Sequence, residues 1–172
     1  VGAARMQEGG NAFDGAIATQ LSLAVVFPGA GNIGGGGFML ARKANGELIG
    51  IDYREAAPAK ASRDMYLDDK GNPIPEKSTR GSSASGVPGS IAGMISTHAY
   101  AKLPFATLIE PAIELAEFGY VISDREAKGL NADRANFLKH SSAPSAFTKK
   151  EIWNAGDTLI QPELAATLKR IQ

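Results

Sequence analysis

Phe38-Met39-Leu40-Ala41-Arg42-Lys43-Ala44-Asn45-Gly46-Glu47-Leu48-Ile49-Gly50-Ile51-Asp52-Tyr53 is the stretch on which the fold turns. Two runs rich in branched and aromatic residues flank Asn45-Gly46, which predicts a strand, a type I′ turn and a second strand. A two-residue turn pairs Leu40 with Ile51. It sets Phe38, Leu40, Ile49, Ile51 and Tyr53 on one face, with Arg42 and Glu47 near the tip, and Met39, Ala41 and Leu48 on the other. Apolar side chains on both faces predict a hairpin base covered on both sides, as in the middle of a sandwich.

Upstream of the hairpin, Asn11 is an N-cap with Asp14 at the third helical position. Apolar residues then recur at Phe13, Ala16, Ile17, Leu21, Ala24 and Val25 until Pro28-Gly29, which predicts a buried helix over 12–27. Its many small side chains predict packing on more than one side. Downstream, the chain is polar and rich in turns from Ala56 to Gly86. Helical spacing resumes after Pro88-Gly89-Ser90 (Ile91, Met94, Ile95, Ala99) and returns over 105–118, with Gly119 as cap, over 124–138, and over 161–172 through Leu164, Ala165, Leu168 and Ile171. No internal repeat or low-complexity linker divides the chain. Residues 1–172 read as one incomplete domain, with a hairpin at 38–53 and a mainly helical part at 88–172.

Eighteen basic and eighteen acidic residues cancel across 172 positions, so no net field draws the protein to nucleic acid or to an anionic membrane. The apolar run around Leu21 to Phe27 is far short of the roughly 20 residues of a membrane helix. With no cysteine there is neither disulfide nor thiolate nucleophile, and composition leaves the compartment open. Val1 to Gly10 carry neither a signal peptide nor an initiator Met, which reads as a start inside a longer precursor. The helix at 161–172 has no glycine cap and reads as a cut end.

Gly34 to Gly37 lack the Lys-Ser or Lys-Thr of a phosphate loop and lead into a strand, so close backbone approach or positive φ explains them better. Neither His98 nor His140 has a metal-ligand spacing, and both read as surface or capping residues. Ser82 to Gly86 lack a nucleophile elbow. Asp68-Asp69-Lys70-Gly71-Asn72 fails as a calcium loop and reads as a solvated turn. What remains is Arg54, at the end of the second strand. A guanidinium holds a carboxylate by two parallel hydrogen bonds, which lysine cannot do. An ordinary ion pair with Asp52 or Glu55 is the competing role.

Together these residues resemble the γ-glutamyltranspeptidase, or glutathione hydrolase, family. The likeness lies in Glu8-Gly9-Gly10-Asn11-Ala12, Pro28 through Leu40, and Asp52-Tyr53-Arg54-Glu55 with Ala57-Pro58-Ala59. It continues in Asp64-Met65-Tyr66, Ser85-Gly86-Val87-Pro88-Gly89-Ser90 and Gly156-Asp157-Thr158-Leu159, in order along almost the whole chain.

The resemblance implies an α+β fold, part of a four-layer αββα sandwich of the N-terminal-nucleophile hydrolase type. Helix 12–27 is then expected to cover a sheet to which the hairpin contributes strands. It also implies a precursor that cleaves itself, and a small subunit whose N-terminal threonine attacks a γ-glutamyl carbonyl with its own α-amino group as base. Water, or an amino acid or peptide acceptor, resolves the acyl-enzyme, and no cofactor or metal is called for. By position, Arg54 resembles the arginine that grips the α-carboxylate of the γ-glutamyl donor. Asp52 and Glu55 are then supports for it, and Gly34 to Gly37 shape the core behind the pocket. Val1 is not a nucleophile, so no catalytic residue is expected in this chain, which alone should be inactive. A periplasmic or extracellular location is implied by resemblance only. A β-lactam acylase relative and a non-catalytic binding or assembly module are the alternatives.

Overall fold

The computed structural model describes residues 1–141 and 143–172. In chain order its elements are α1 (Gly2–Gln7), α2 (Ala12–Val26), β1 (Phe38–Arg42), β2 (Leu48–Asp52), α3 (Pro75–Thr79), α4 (Ser90–His98), α5 (Phe105–Phe118), β3 (Tyr120–Val121), α6 (Asp124–His140), β4 (Thr158–Leu159) and α7 (Pro162–Ile171). The result is a helix-rich α+β fold with two small antiparallel sheets, β1 with β2 and β3 with β4.

Helix α2 starts where Asn11 caps it. The Asn11 side-chain oxygen accepts from the Phe13 and Asp14 N–H groups, and Asp14 accepts from the Asn11 N–H at 2.7 Å, a reciprocal capping box. Ile17, Leu21 and Val25 then point into a core shared with Leu108, Ile109, Ala112 and Ala116 of α5, Met94 of α4, and Ala165 and Leu168 of α7. Each large aliphatic chain buried there contributes about 1.5 to 3 kcal/mol. Helices α1, α4 and α5 pack on α2, and α4 also meets β2. A second cluster gathers Ile122, Ala127, Leu130, Trp153 and Leu159 around the β3–β4 pair. Gln161 is buried and donates to the Val25 carbonyl at 2.9 Å, satisfying the last turn of α2.

The hairpin forms with a different register from the expected one. Leu40 pairs with Gly50 and Met39 with Ile51, one step from the Leu40–Ile51 pairing of a two-residue turn. The cause is the turn. Lys43 carbonyl accepts from the Gly46 N–H, Gly46 takes φ of 89°, and Lys43 N–H then donates to Glu47 carbonyl, which leaves three residues in the loop. A one-residue slip moves every side chain to the other face. Ile49, Ile51 and Tyr53 therefore share the inner face with Met39 and Ala41, while Phe38, Leu40 and Leu48 lie on the outer one.

Within this chain only the inner face of the hairpin is covered. Leu40 is 89% exposed and Leu48 78%, so the outer face of the hairpin is open on this chain. Gly46→Ala should lower stability by about 1 to 2 kcal/mol, because a Cβ disfavours positive φ. The denaturation midpoint in urea checks this, and an unchanged midpoint would disprove the turn assignment.

Candidate functional site

Arg54 follows β2 directly, and its backbone is fixed on both sides. Before it, Tyr53 and Gly37 exchange two backbone hydrogen bonds, at 3.0 and 3.3 Å. After it, Ala56 and Val87 do the same, at 3.1 and 2.8 Å. The Arg54 N–H itself donates to an Asp52 carboxylate oxygen at 3.0 Å. This makes Asp52 a support of the Arg54 main chain, whereas Glu55 meets the guanidinium, its Oε1 lying 3.3 Å from Nη2.

The guanidinium also lies over the Phe38 ring, 5.8 Å from its centroid. Among the described residues the bond to Glu55 is its one side-chain hydrogen bond, and the side chain is 59% exposed. An exposed pair of this kind is worth about 0 to 1 kcal/mol, so most of the donor capacity of Arg54 stays available to an incoming carboxylate. The Glu55 carboxyl is held below its ordinary pKa chiefly by its own backbone N–H. Partial burial opposes that effect and the Arg54 charge adds to it. It is therefore an anion at neutral pH, able to orient the guanidinium.

The glycines between α2 and β1 abut this segment. A Cβ on Gly36 would stand 2.4 Å from the Glu55 nitrogen and 2.6 Å from the Tyr53 oxygen, so close approach, not positive φ, explains that position. Gly35 carbonyl accepts from the N–H groups of Gly89 and Ser90 at the start of α4, at 2.8 and 3.0 Å. Three stretches distant in sequence, at 35–37, 52–56 and 86–90, thus converge around Arg54. Nothing in the sequence placed Phe38 beneath the guanidinium, because the expected register paired Phe38 with Tyr53.

Two cavities of the described residues do not have Arg54 in their lining. A cavity of about 590 Å³ lies elsewhere, between Phe27-Pro28-Gly29 and α6, with Tyr120, Phe137 and Phe147 in its wall. A smaller one of about 290 Å³ borders Asn32, Gly36 and Ser90. His98 does pack at a helix end, its Nε2–H donating to Leu103 carbonyl at 2.8 Å, and His140 ends α6. Asp68 closes the exposed turn 68–72 by accepting from the N–H groups of Lys70 and Asn72. Among the described residues no three His, Cys, Asp or Glu side chains are grouped to hold a metal ion, and no helix is long and apolar enough to cross a membrane.

The fold is that of the N-terminal-nucleophile hydrolases, shared with solved transpeptidases and an acylase. The γ-glutamyltranspeptidase of Helicobacter pylori superposes with a TM-score of 0.94 at 47% identity, over 99% of this chain and 50% of that one. Cephalosporin acylase from Bacillus halodurans superposes at 0.81 with 25% identity, over 99% of this chain and 33% of that one. The gamma-glutamyltranspeptidase family model matches residues 1–172, and the chain belongs to that family. The glutathione hydrolase proenzyme of Escherichia coli is 45% identical over 174 residues, spanning 99% of this chain and 30% of that protein. The chain thus spans about a third of the length of the curated relatives it matches.

Proposed function

We propose that this chain is the donor-carboxylate part of a γ-glutamyltransferase, or glutathione hydrolase, whose nucleophile lies outside it. The observation that carries this reading is Arg54: a main chain pinned on both sides presents a guanidinium with one long side-chain hydrogen bond. The fork receives the α-carboxylate of the γ-glutamyl group. It thereby sets the γ-carbonyl at a fixed reach from the anchor, where a threonine from the rest of the precursor attacks it.

The leaving amine departs with a proton, and an acyl-enzyme remains. Water releases glutamate from it, and an amino acid or peptide amine takes the γ-glutamyl group instead. The remainder of the precursor, the small subunit among it, would cover the open face beside Arg54 where Phe38, Leu40 and Leu48 are exposed. Family resemblance alone supports a periplasmic or extracellular place of action.

The test is made on the complete precursor. It should cleave itself into two chains and then release the chromophore from a γ-glutamyl anilide much faster than it removes the glutaryl side chain from a glutaryl β-lactam. Preference for the β-lactam would favour the acylase alternative, and a processed protein inert towards both would leave the binding module.

A further inference from the structure

We propose that Tyr53, lodged against Gly89 and Gly93 of the α4 start, positions Arg54 for the donor carboxylate. The inference rests on the reading of Arg54 as a donor anchor and adds residues that act on it from behind. The Tyr53 ring lies directly over Gly93, where an added Cβ would stand 2.2 Å from Cγ and 2.5 Å from Cδ1. Its carbonyl lies over Gly89, where an added Cβ would stand 2.0 Å from the oxygen. All three distances are far inside van der Waals contact, so α4 reaches the Tyr53 peptide only because neither position carries a side chain.

That peptide is the one that leads into Arg54. Its oxygen accepts from the Gly37 N–H and its nitrogen, that of Arg54, donates to Asp52, while the Tyr53 N–H donates to the Gly37 carbonyl and the Tyr53 hydroxyl reaches the Phe38 carbonyl at 3.4 Å. Phe38 in turn underlies the guanidinium. Moving the ring therefore shifts both the backbone that carries Arg54 and the surface on which its side chain rests. A positioning role of this kind predicts loss of donor affinity with the nucleophilic chemistry largely kept, since nothing here touches the reacting carbonyl.

The experiment uses the complete, processed protein and two donors, one with the α-carboxylate and one with an α-carboxamide in its place. Gly93→Ala should raise the Michaelis constant for the carboxylate donor by roughly tenfold to a hundredfold, with kcat changed much less, and leave the carboxamide donor unaffected. On a Tyr53→Ala background, which removes Cγ, Gly93→Ala should add little. Gly89→Ala should still cost affinity there, because its clash is with the peptide itself.

Equal losses on both donors, or full additivity of Gly93→Ala with Tyr53→Ala, would overturn the proposal. If Gly93→Ala does not accumulate, Tyr53→Ala carries the test, and a wild-type Michaelis constant in it is a negative result. Failure of both to accumulate would assign Tyr53 to fold stability and overturn the proposal too. Arg54→Lys separates the two levels. If it leaves the constant unchanged, the donor reading itself falls, and if it raises the constant while Tyr53→Ala does not, only the positioning role falls.

Discussion

Arg54→Lys in the complete protein should raise the Michaelis constant for a γ-glutamyl donor by roughly 30-fold to several-thousand-fold, about 2 to 5 kcal/mol. Lysine keeps the charge, so the expected loss measures the fork: two parallel N–H donors in one plane against a single hydrated ammonium on a flexible stem. The size of the effect also reports the surroundings. On this chain the side chain is 59% exposed, and an ion pair in that setting is worth about 0 to 1 kcal/mol. A loss above 2 kcal/mol therefore requires the rest of the precursor to close over the site and exclude water. Donor-concentration series on wild type and variant, read as separate kcat and Michaelis constants, decide it. An unchanged Michaelis constant would remove Arg54 from donor binding.

Much of this architecture is readable along the chain, and the unread parts share one cause. Helices α2, α5 and α7 fall within a residue or two of the expected spans, because caps and 3.6-residue periodicity are local signals. Helix α6 runs two residues past the expected end, to His140. The hairpin was legible as an element but not in register, since Asn-Gly fits a two-residue turn as well as a three-residue loop with Gly46 in the left-handed region.

The observed register buries Ile49, and no local spacing reports that. Helix α1 escaped notice. So did the β3–β4 pair, whose strands of two residues are too short to show a period. The same holds at the site. Arg54 could be named from residue type and family resemblance, but its support by Gly36, Gly89 and Gly93 depends on contacts between segments dozens of positions apart, which one sequence does not disclose.

Asp14→Ala should cost about 3 to 5 kcal/mol of stability, the largest expected loss away from the site. Asp14 is fully buried, and its two carboxylate oxygens accept from the N–H groups of Asn11 at 2.7 Å, Lys102 at 3.0 Å and Leu103 at 2.8 Å. One side chain thus caps α2 and clamps the α4–α5 connection onto it, beside the Phe13–Tyr100 stack and the Asn11 to Tyr100 hydrogen bond. Alanine would leave those three backbone donors without their acceptor in a dry site.

The pH dependence has a definite sign. Burial pushes the Asp14 pKa up, but the backbone donors together outweigh it and hold the group below its ordinary 3.8. A depressed folded-state value means stability that is fully present above 3.8 and lost as pH falls through the folded value. The gap between wild type and Asp14→Asn, measured as denaturation midpoints, should therefore be widest near neutrality and narrow below 3.8. A gap that stays constant on acidification would mean that the carboxylate charge contributes nothing to holding α4 and α5 against α2.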